Sequence, residues 1–502
     1  MVLFLGIDIG TTATKVSVAD LDGTVLAERA ASCRVDSPGP GWAEVDASQW
    51  WDNVTALVPQ VLQAAGNEPA DVRAVGVSGM VPAVLCLDGS GNPLAPSIQQ
   101  NDARAGREIA ELRTELTDAD LLARTGSELT TQSVAPKIRW LRAHRPDVVA
   151  ATERICGSYD WIVTQLTGRR ATEANWALGS GLWDMRTGDW AHDVLRSGGV
   201  EESWLAPVRR SHDIVGEVTQ AAATDTSIPA GTPVTAGAAD HIASAFSAGL
   251  VEDGDVLVKL GGAGDIMLSL TDPVVDERVF LDHHLLPDAW MLNGCMAASG
   301  SVLRWFQREL AGGATFAELD AAAGDVPAGS GGIVCLPYFL GEKSPISDPN
   351  ARGAFVGLHL GHTQAHLYRS VLEAIAFGFA HHIEVFEERR LPVGRVRVTN
   401  GGSRSRLWRQ IVADVLERPL ESLVDHPGSG LGAAFAAGVA IGTLDWDDLE
   451  RFVHVAETIE PDASTTTRYR DSYAVYRQLY PALAPLSHRL AASQTPTQAE
   501  GP

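Results

Sequence analysis

Two segments, half a chain apart, share one pattern of apolar and small residues. In both, an apolar run enters a turn of small residues and an alternating run leaves it: LFLGIDIGTTATKVSVAD (Leu3–Asp20) and DVLVKLGGAGDIMLSL (Asp255–Leu270). Alternation with a period of two predicts strands, so each segment is expected to form a β-hairpin. Turns of Gly and Thr let successive backbone N–H groups converge on an anion. We therefore predict two phosphate-binding turns in two related domains that hold a nucleotide between them.

The remaining pattern predicts strands alternating with helices. Val72–Asp88 has the same strand-turn-strand design as the first segment. Apolar residues at helical spacing predict helices over Gln49–Ala65 and about His362–Glu387. RVRVT, a turn at Asn400–Ser403 and RSRLWRQIVADVLER predict a strand-turn-helix unit. Gly428–Gly442 predicts a helix whose small residues allow close packing, so the fold class is α/β.

Composition and charge limit the classes of function. The chain has 502 residues, which predicts at least two domains, and a net charge of −24, which disfavours nucleic acid or an anionic membrane as a partner. No apolar run approaches the roughly 18 residues of a membrane span, and no signal peptide is recognisable. Five scattered cysteines without metal or redox spacing are typical of buried thiols. We expect a cytoplasmic protein.

Two acidic residues, Asp8 and Asp240, lie at strand ends, and each could be either a functional residue or only a capping residue. Asp8 ends the first strand before Gly10-Thr11-Thr12, where it could hold Mg²⁺ beside phosphates while Lys15 neutralises phosphate charge. Asp8 could instead only cap a tight hairpin. Asp240 ends the apolar run VTAGAA, where an acid is unfavourable unless it is paired or functional. It could also be the N-cap of a helix over IASAFSAGL.

Further segments resemble the FGGY family of carbohydrate kinases, which have the actin/hexokinase/Hsp70-like fold. GIDIGTTATK is similar to the opening of these kinases. The other similar segments are Gly353–Leu358 with His366–Glu373 (the C-terminal signature), Leu336–Pro345, Gly401–Ser405 and Lys137–Leu141. Gln132 and Val134 depart from positions upstream of the last segment. The resemblance runs from about residue 3 to about residue 480 and is closest to the xylulokinases.

The resemblance implies a fold and a domain division. The expected fold class is a two-domain α/β protein with the actin-like ATPase (ribonuclease H-like) fold and a central cleft. Residues 1–245 would form the N-terminal, mainly sugar-binding domain. Residues 246–488 would form the C-terminal, mainly ATP-binding domain, and the polar residues 489–502 a disordered tail.

The resemblance also implies a reaction and the residues that carry it. The γ-phosphoryl group of MgATP would pass to a hydroxyl of a small sugar, with Asp240 as the catalytic base and Asp8 at the Mg²⁺ ion. The implied nucleotide-binding residues are Gly10, Thr11, Thr12, Lys15, Gly261, Gly262, Gly264, Gly401 and Gly402. The implied sugar-binding residues are Met80, Val81, Asn101, Asp102, Asp240 and His241. Among these, His241 could instead be a core imidazole, and Asp102 could simply pair with Arg104.

Three departures from the family pattern concern the substrates. Pro82 stands where the xylulokinase stretch S-G-Q-M-H-G has its His, and Gln100 replaces a Trp. The turn Gly261–Gly264 lacks the hydroxyl residues of Gly-Thr-Ser-Gly. We expect a ketopentose such as D-xylulose as the substrate, with another ketose, a tetrulose or an alditol as alternatives. A regulatory ATPase that needs no sugar is the alternative from another class, and a homodimer is an open option for the assembly.

Overall fold

The computed structural model describes residues 1–117, 120–424 and 428–494, and these form two compact units. Unit 1 contains Met1–Val251, Thr271–Met291 and Pro427–Val453, and unit 2 contains the rest of the chain. The first segment of unit 1 ends close to the boundary expected at residue 245. Two later segments that the sequence placed in the second domain belong to unit 1. The N-terminal unit is therefore assembled from three separate stretches of chain.

The strands are short and follow one another along the whole chain. In the first half they are β1 (Leu3–Ile9), β2 (Ala13–Ala19), β3 (Val25–Ser32), β4 (Glu44–Val45), β5 (Val72–Gly79), β6 (Leu85–Leu87), β7 (Ser97–Ile98), β8 (Arg154–Cys156), β9 (Thr172–Glu173), β10 (Trp183–Asp184), β11 (Asp189–Trp190), β12 (Val208–Arg209), β13 (Ile214–Glu217), β14 (Pro233–Thr235) and β15 (Ala238–Ala239). In the second half they are β16 (Val256–Leu260), β17 (Gly264–Leu270), β18 (Phe280–His283), β19 (Trp290–Met296), β20 (Val334–Leu336), β21 (Ala354–Val356), β22 (Val396–Thr399), β23 (Leu420–Leu423) and β24 (Val455–Ile459).

The helices lie between these strands. In unit 1 before residue 252 they are α1 (Ser48–Ala65), α2 (Gly106–Glu115), α3 (Leu121–Thr125), α4 (Val134–His144), α5 (Pro146–Ala151), α6 (Ser158–Thr167), α7 (Ala174–Gly179), α8 (His192–Gly198), α9 (Gln220–Thr226) and α10 (Asp240–Ser247). After residue 252 they are α11 (Gly300–Leu310), α12 (Phe316–Gly324), α13 (Gln364–Glu388), α14 (Arg406–Leu416), α15 (Gly428–Ala440) and α16 (Thr466–Gln494). The predicted helices at α1, α13, α14 and α15 are confirmed within a few residues.

The main sheet of unit 1 is built around the first predicted hairpin. β1 pairs antiparallel with β2 and parallel with β5, and the strand order is β13-β14-β5-β1-β2-β3. The apolar residues of β1 are buried, as expected for a central strand that is covered on both faces. Asp8 lies opposite Lys15 in the register of the hairpin. The first hairpin is therefore confirmed, with its acidic residue at the entrance to the turn.

The main sheet of unit 2 repeats this arrangement around the second predicted hairpin. β16 pairs antiparallel with β17 and parallel with β22, and six strands follow the order β19-β17-β16-β22-β23-β24. In this hairpin Lys259 lies opposite Asp265. The aspartate is on the first strand and the lysine on the second in the first hairpin, and the reverse holds in the second hairpin. The pairing of the strands is the same in both units.

Within unit 1, helix α15 packs against the main sheet and α10 through its small residues. A Cβ atom at Gly6 would lie 2.1 Å from the carbonyl oxygen of Gly430, and one at Gly76 would lie 2.0 Å from that of Ala433. A Cβ atom at Gly432 would likewise lie 2.1 Å from the carbonyl oxygen of Ala243 in α10. These backbones approach each other too closely for any side chain, which explains the glycine-rich sequence of the helix.

Two expectations from the sequence need correction. The strands predicted within Val72–Asp88 form as β5 and β6, but β6 pairs with β8 and β5 pairs with β1, so they do not repeat the hairpin. Residues 489–494 of the expected tail belong to α16, because the helix extends to Gln494; residues 495–502 lie outside the described residues. In the described ranges, no helix combines the length and apolar character needed to cross a bilayer.

Candidate active site

The ends of three neighbouring strands bring the predicted catalytic residues of unit 1 together. Asp8 in β1 lies opposite Ser78 in β5, and Ala239 in β15 lies opposite Gly79. Asp240 follows β15 directly. The two acids singled out in the sequence therefore stand at one edge of the sheet, although more than two hundred residues separate them.

The carboxylate of Asp8 is held by two hydroxyl groups. Ser78 Oγ donates a hydrogen bond to Asp8 Oδ1 at 3.0 Å, and the Ser429 hydroxyl also donates to this carboxylate. Burial, and after it the charge of Asp240, raises the pKa of Asp8 to about 6, while the hydroxyl groups and Lys15 oppose the rise. Neighbouring carboxylates repel each other, and a divalent cation beside them would relieve that repulsion.

The chemistry of Asp8 fits one protein ligand to a Mg²⁺ ion. In the part of the chain that the structure describes, no three His, Cys, Asp or Glu side chains are arranged as a metal site. Mg²⁺ keeps several water ligands and commonly takes one or two carboxylates together with substrate phosphates. A single carboxylate at the Gly10–Thr12 turn is compatible with that mode of binding, with Lys15 exposed on the outgoing strand.

Asp240 is the first residue of α10 and not its N-cap. The cap position belongs to Ala239, which makes no side-chain capping bond, so the capping interpretation of Asp240 is wrong in its position. Asp240 Oδ1 accepts the backbone N–H of His241 at 2.6 Å, and the side chain is 36% exposed. A carboxylate in this setting is accessible, as a general base must be.

His241 lies between two carboxylates. Its Nε2 atom is 3.0 Å from Asp282 Oδ2, and its Nδ1 atom is 3.5 Å from Asp240 Oδ1. Burial alone would lower the pKa of His241, but Asp282, and after it Asp240, outweigh burial and raise this pKa to about 10. His241 is therefore an imidazolium at neutral pH, with both ring nitrogens facing carboxylates. Its contact with a sugar stays a prediction.

The predicted sugar-side residues differ in their surroundings. Met80 and Val81 follow β5 and are buried, and the N–H of Met80 donates to the carbonyl oxygen of Ile9 at 3.1 Å. This bond ties the segment to the end of β1, close to Asp8. Asn101 is exposed. Met80 and Val81 thus belong to the same sheet edge as the two acids.

Asp102 and Arg104 form a buried, saturated ion pair. Asp102 Oδ2 accepts the backbone N–H of Ala43 at 2.6 Å and Arg104 Nη2 at 2.7 Å, while Oδ1 accepts Arg104 Nε at 2.8 Å. Arg104 Nη1 lies 2.7 Å from Glu44 Oε1, and its guanidinium lies 4.0 Å from the centre of the Trp42 ring. The pairing that the sequence left as an alternative is present, and it braces this loop. Sugar binding by Asp102 stays a prediction.

In unit 2, four of the five predicted nucleotide-binding glycines line one cavity of about 540 Å³. Gly261 and Gly262 come from the turn after β16, and Gly401 and Gly402 from the turn after β22. A Cβ atom at Gly402 would lie 2.4 Å from the Trp408 ring, so a side chain there would displace the indole from the wall. The volume lies within the usual range for small-molecule sites, and it is large enough for a nucleoside.

Two residues near the second turn do not line this cavity. A Cβ atom at Gly264 would lie 2.6 Å from Met296 Cε and 3.1 Å from Ser299 Cβ, so Gly264 is needed for packing beneath the turn. Asp265 lies beside Cys295, where burial and this carboxylate raise the pKa of the thiol. In the second turn, Gly261 and Gly262 therefore line the cavity, whereas Asp265 lies beside Cys295.

Sequence reasoning missed four residues of these sites. Ser429 holds Asp8, Asp282 holds His241, and Arg304 and Trp408 line the cavity of unit 2. The only sequence signal for Asp282 is a charged residue within the apolar segment VFLDHHLL. Ser429 is a small residue in a glycine-rich stretch, and nothing in its local sequence relates it to Asp8.

The chain is similar in sequence and in structure to known sugar kinases. A xylulose kinase from Rhodospirillum rubrum has a solved structure that is 44% identical, superposes with a TM-score of 0.91 and covers 97% of this chain and 100% of its own. Xylulose kinase of Escherichia coli K12 is 28% identical over 96% of this chain and 100% of its own. Gluconokinase of Bacillus subtilis 168 is 26% identical over 97% of this chain and 96% of its own.

The family models cover both halves of the chain. Residues 3–247 match the N-terminal domain, and residues 257–441 the C-terminal domain, of the FGGY family of carbohydrate kinases. The expected fold class is confirmed, because the two sheets and the matching structures are those of the actin-like ATPase fold. The protein is an enzyme, a kinase that acts on a sugar and uses ATP as its phosphate donor. The chain belongs to the FGGY family of carbohydrate kinases.

Proposed function

We propose that the protein transfers the γ-phosphoryl group of MgATP to a hydroxyl of a small neutral sugar, a ketopentose such as D-xylulose. The single observation that carries the proposal is the accessible carboxylate of Asp240, which stands at the sheet edge beside Asp8 and directly after β15. The relatives named xylulose kinase support the choice of sugar, with 44% and 28% identity along nearly the whole chain.

Asp240 would act as the base. The carboxylate accepts the proton of the sugar hydroxyl as the hydroxyl oxygen forms its bond to the γ-phosphorus, and the bond from this phosphorus to the β,γ-bridging oxygen breaks to release ADP. Asp240 must be ionised for this step, and the neighbouring His241 imidazolium favours the ionised carboxylate. Met80 and Val81, buried beside the same strand ends, would contact the sugar, with Asn101 and Asp102 as further candidates.

Asp8 and the two turns would bind the phosphates. When bound, Mg²⁺ supplies positive charge that offsets the charge developing on the transferred group. Asp8 would be its protein ligand, with Ser78 and Ser429 fixing the orientation of the carboxylate. The Gly10–Thr12 turn and Lys15 of unit 1 would contact phosphate oxygens. The Gly261–Gly262 turn and Gly401–Gly402 of unit 2 would bind the phosphates and the adenosine.

A sugar acid is the second candidate, because a gluconokinase is among the relatives. The charges around the proposed base favour a neutral sugar. Asp8, Asp240 and Asp282 contribute three carboxylates, against the imidazolium of His241 and the ammonium of Lys15. A carboxylate on the substrate would add to this excess of negative charge and would be repelled.

A coupled assay of ADP release tests the proposal. The substrates are D-xylulose, D-ribulose, D-erythrulose, glycerol and D-gluconate, and Asp240→Asn is the control for background hydrolysis. We expect the highest kcat/KM with D-xylulose and the lowest with D-gluconate. Faster turnover of D-gluconate would contradict the charge argument. ATP hydrolysis that no sugar stimulates would favour the regulatory ATPase instead.

A further inference from the structure

The turn Gly261–Gly264 has no side-chain hydroxyl, but a guanidinium group lies against it. A Cβ atom at Gly262 would lie 2.9 Å from Nη2 of Arg304, so the absence of a side chain at this glycine makes room for the arginine. Arg304 projects from α11, and both residues line the 540 Å³ cavity of unit 2. A cation therefore lines the cavity beside the turn.

Backbone hydrogen bonds fix the arginine relative to the turn. The N–H of Ser299 donates to the carbonyl oxygen of Gly262 at 2.9 Å, that of Gly300 to Gly261 at 2.8 Å, and that of Ser301 to Gly262 at 3.1 Å. A Cβ atom at Gly300 would lie 2.6 Å from the carbonyl oxygen of Gly261. The start of α11 and the turn are thus one packed element, and Arg304 lies one helical turn further along it.

These bonds also exclude the usual alternative, an anion at the helix N-terminus. The first N–H groups of a helix can bind phosphate only while they are free. At α11, the N–H groups of Gly300 and Ser301 already bond to the turn. The donors left at this end of the helix are therefore side chains, namely the buried hydroxyl groups of Ser299 and Ser301, which have no hydrogen-bond partner among the described residues, and the Arg304 guanidinium, the one of the three that lines the cavity.

No acidic side chain among the described residues balances the charge of Arg304. Throughout residues 1–117, 120–424 and 428–494, no carboxylate lies within ion-pair distance of Arg304 or of Arg404, which lines the same cavity. The carboxylate of the cavity wall, Asp320, accepts the Tyr368 hydroxyl at 3.0 Å. In a chain with 63 acidic and 39 basic residues, an arginine with no acidic partner that faces a cavity is suited to an anionic ligand.

We propose that Arg304 binds the phosphate chain of the nucleotide and takes the place of the hydroxyl side chains that the turn lacks. The planar guanidinium donates two parallel N–H groups to phosphate oxygens, a geometry that a backbone turn of glycines cannot supply alone. Arg304 then determines how strongly the cavity prefers a phosphorylated nucleotide over the bare nucleoside. This proposal rests on the proposed function, because it takes the ligand of the cavity to be an adenine nucleotide.

Calorimetric titration of the full-length protein with ADP and with adenosine tests the proposal. For Arg304→Met we expect ADP affinity to fall about 10- to 100-fold, the worth of hydrogen bonds to a charged group, while adenosine affinity stays within about twofold. Arg304→Lys should recover part of the loss, because it keeps the charge but not the planar fork. The matched control is Arg308→Met, which removes an exposed arginine one turn along the same helix, where it pairs with Glu309.

The outcomes separate this proposal from the one on which it rests. Unchanged ADP affinity in Arg304→Met would overturn the assignment of Arg304 while leaving the kinase proposal intact. Equal losses for ADP and adenosine would also overturn it, because Arg304 would then contact the adenosine part of the ligand or support the cavity wall. Wild-type protein that binds neither ligand would refute the nucleotide cavity and this proposal with it. Thermal melting of each variant shows whether a loss comes from unfolding.

Discussion

Replacing Asp282 with Asn should bring the titration of His241 into the neutral pH range. The substitution keeps an oxygen that can accept a hydrogen bond from Nε2, and it removes the charge 3.0 Å from that atom. Asp240, at 3.5 Å from Nδ1, is then the remaining carboxylate beside the ring. Burial, which favours the neutral imidazole, is unchanged, so we expect the pKa of His241 to fall from about 10 to near or below its ordinary value.

The change in protonation is large. At about pH 7.5, a pKa of about 10 leaves roughly one His241 ring in 300 neutral, whereas an ordinary pKa of about 6.5 leaves about nine rings in ten neutral. The raised pKa also has a defined effect on stability. Its stabilisation is fully present below about pH 6.5 and is lost as the pH rises through about 10. Asp282→Asn should therefore be less stable than wild type by roughly 3 kcal/mol at pH 6 and should approach it above pH 10.

Histidine ring signals in a ¹H–¹³C NMR titration report the pKa directly. The His241 signal, assigned by its absence in His241→Gln, should stay constant between pH 6 and pH 9 in wild type and should titrate in Asp282→Asn. The kcat/KM profile of this variant should gain a pH-dependent step that wild type lacks. Asp272→Asn, which removes an exposed carboxylate from the same segment, should change neither result. A wild-type signal that titrates near pH 6.5 would refute the reasoning.

Three further predictions follow from the same sites. Asp240→Asn should lower kcat about 10²- to 10⁴-fold without weakening ADP binding, and turnover near that of wild type would exclude Asp240 as the base. Asp8→Ala should weaken the use of MgATP more than sugar binding, as separate titrations of the two substrates would show; equal losses would point to a structural role. Gly76→Ala places a Cβ atom 2.0 Å from the Ala433 carbonyl oxygen, so it should lower the free energy of unfolding by about 2 kcal/mol or more, whereas an unchanged Tm would contradict this packing.

The sequence predicted the local elements because their signals are local. The two hairpins alternate with a period of two, and the helices α1 and α13 repeat their apolar residues with the helical period, so neighbouring residues determine them. The pairing of β6 could not be predicted in this way. Its partner β8 lies some seventy residues away, and the choice of partner depends on how the intervening chain packs.

The sequence allowed the two acidic residues of the candidate site to be predicted, but not the residues that contact them. Asp8 and Asp240 stand beside small-residue turns and strand ends, where a charge is conspicuous. Asp282 and Ser429 come from segments that follow the first 251 residues of unit 1 and return to it later in the chain. Arg304 resembles any other helical arginine in sequence, and only its distance from Gly262 distinguishes it. Contacts between distant segments carry this information, and a single sequence does not display them.

Because α15 packs so closely, a methyl group added at its interface would disturb the proposed Mg²⁺ ligand Asp8 without touching it. Ser429, whose hydroxyl holds Asp8, lies at the beginning of this helix, and Gly432, four residues from the beginning, touches the backbone of α10. A side chain that lifts the helix from the sheet also withdraws the hydroxyl from Asp8. A genetic screen for loss of kinase activity would therefore recover substitutions at Gly76 and Gly432 alongside those at Asp8, although neither glycine is among the residues proposed to bind a substrate.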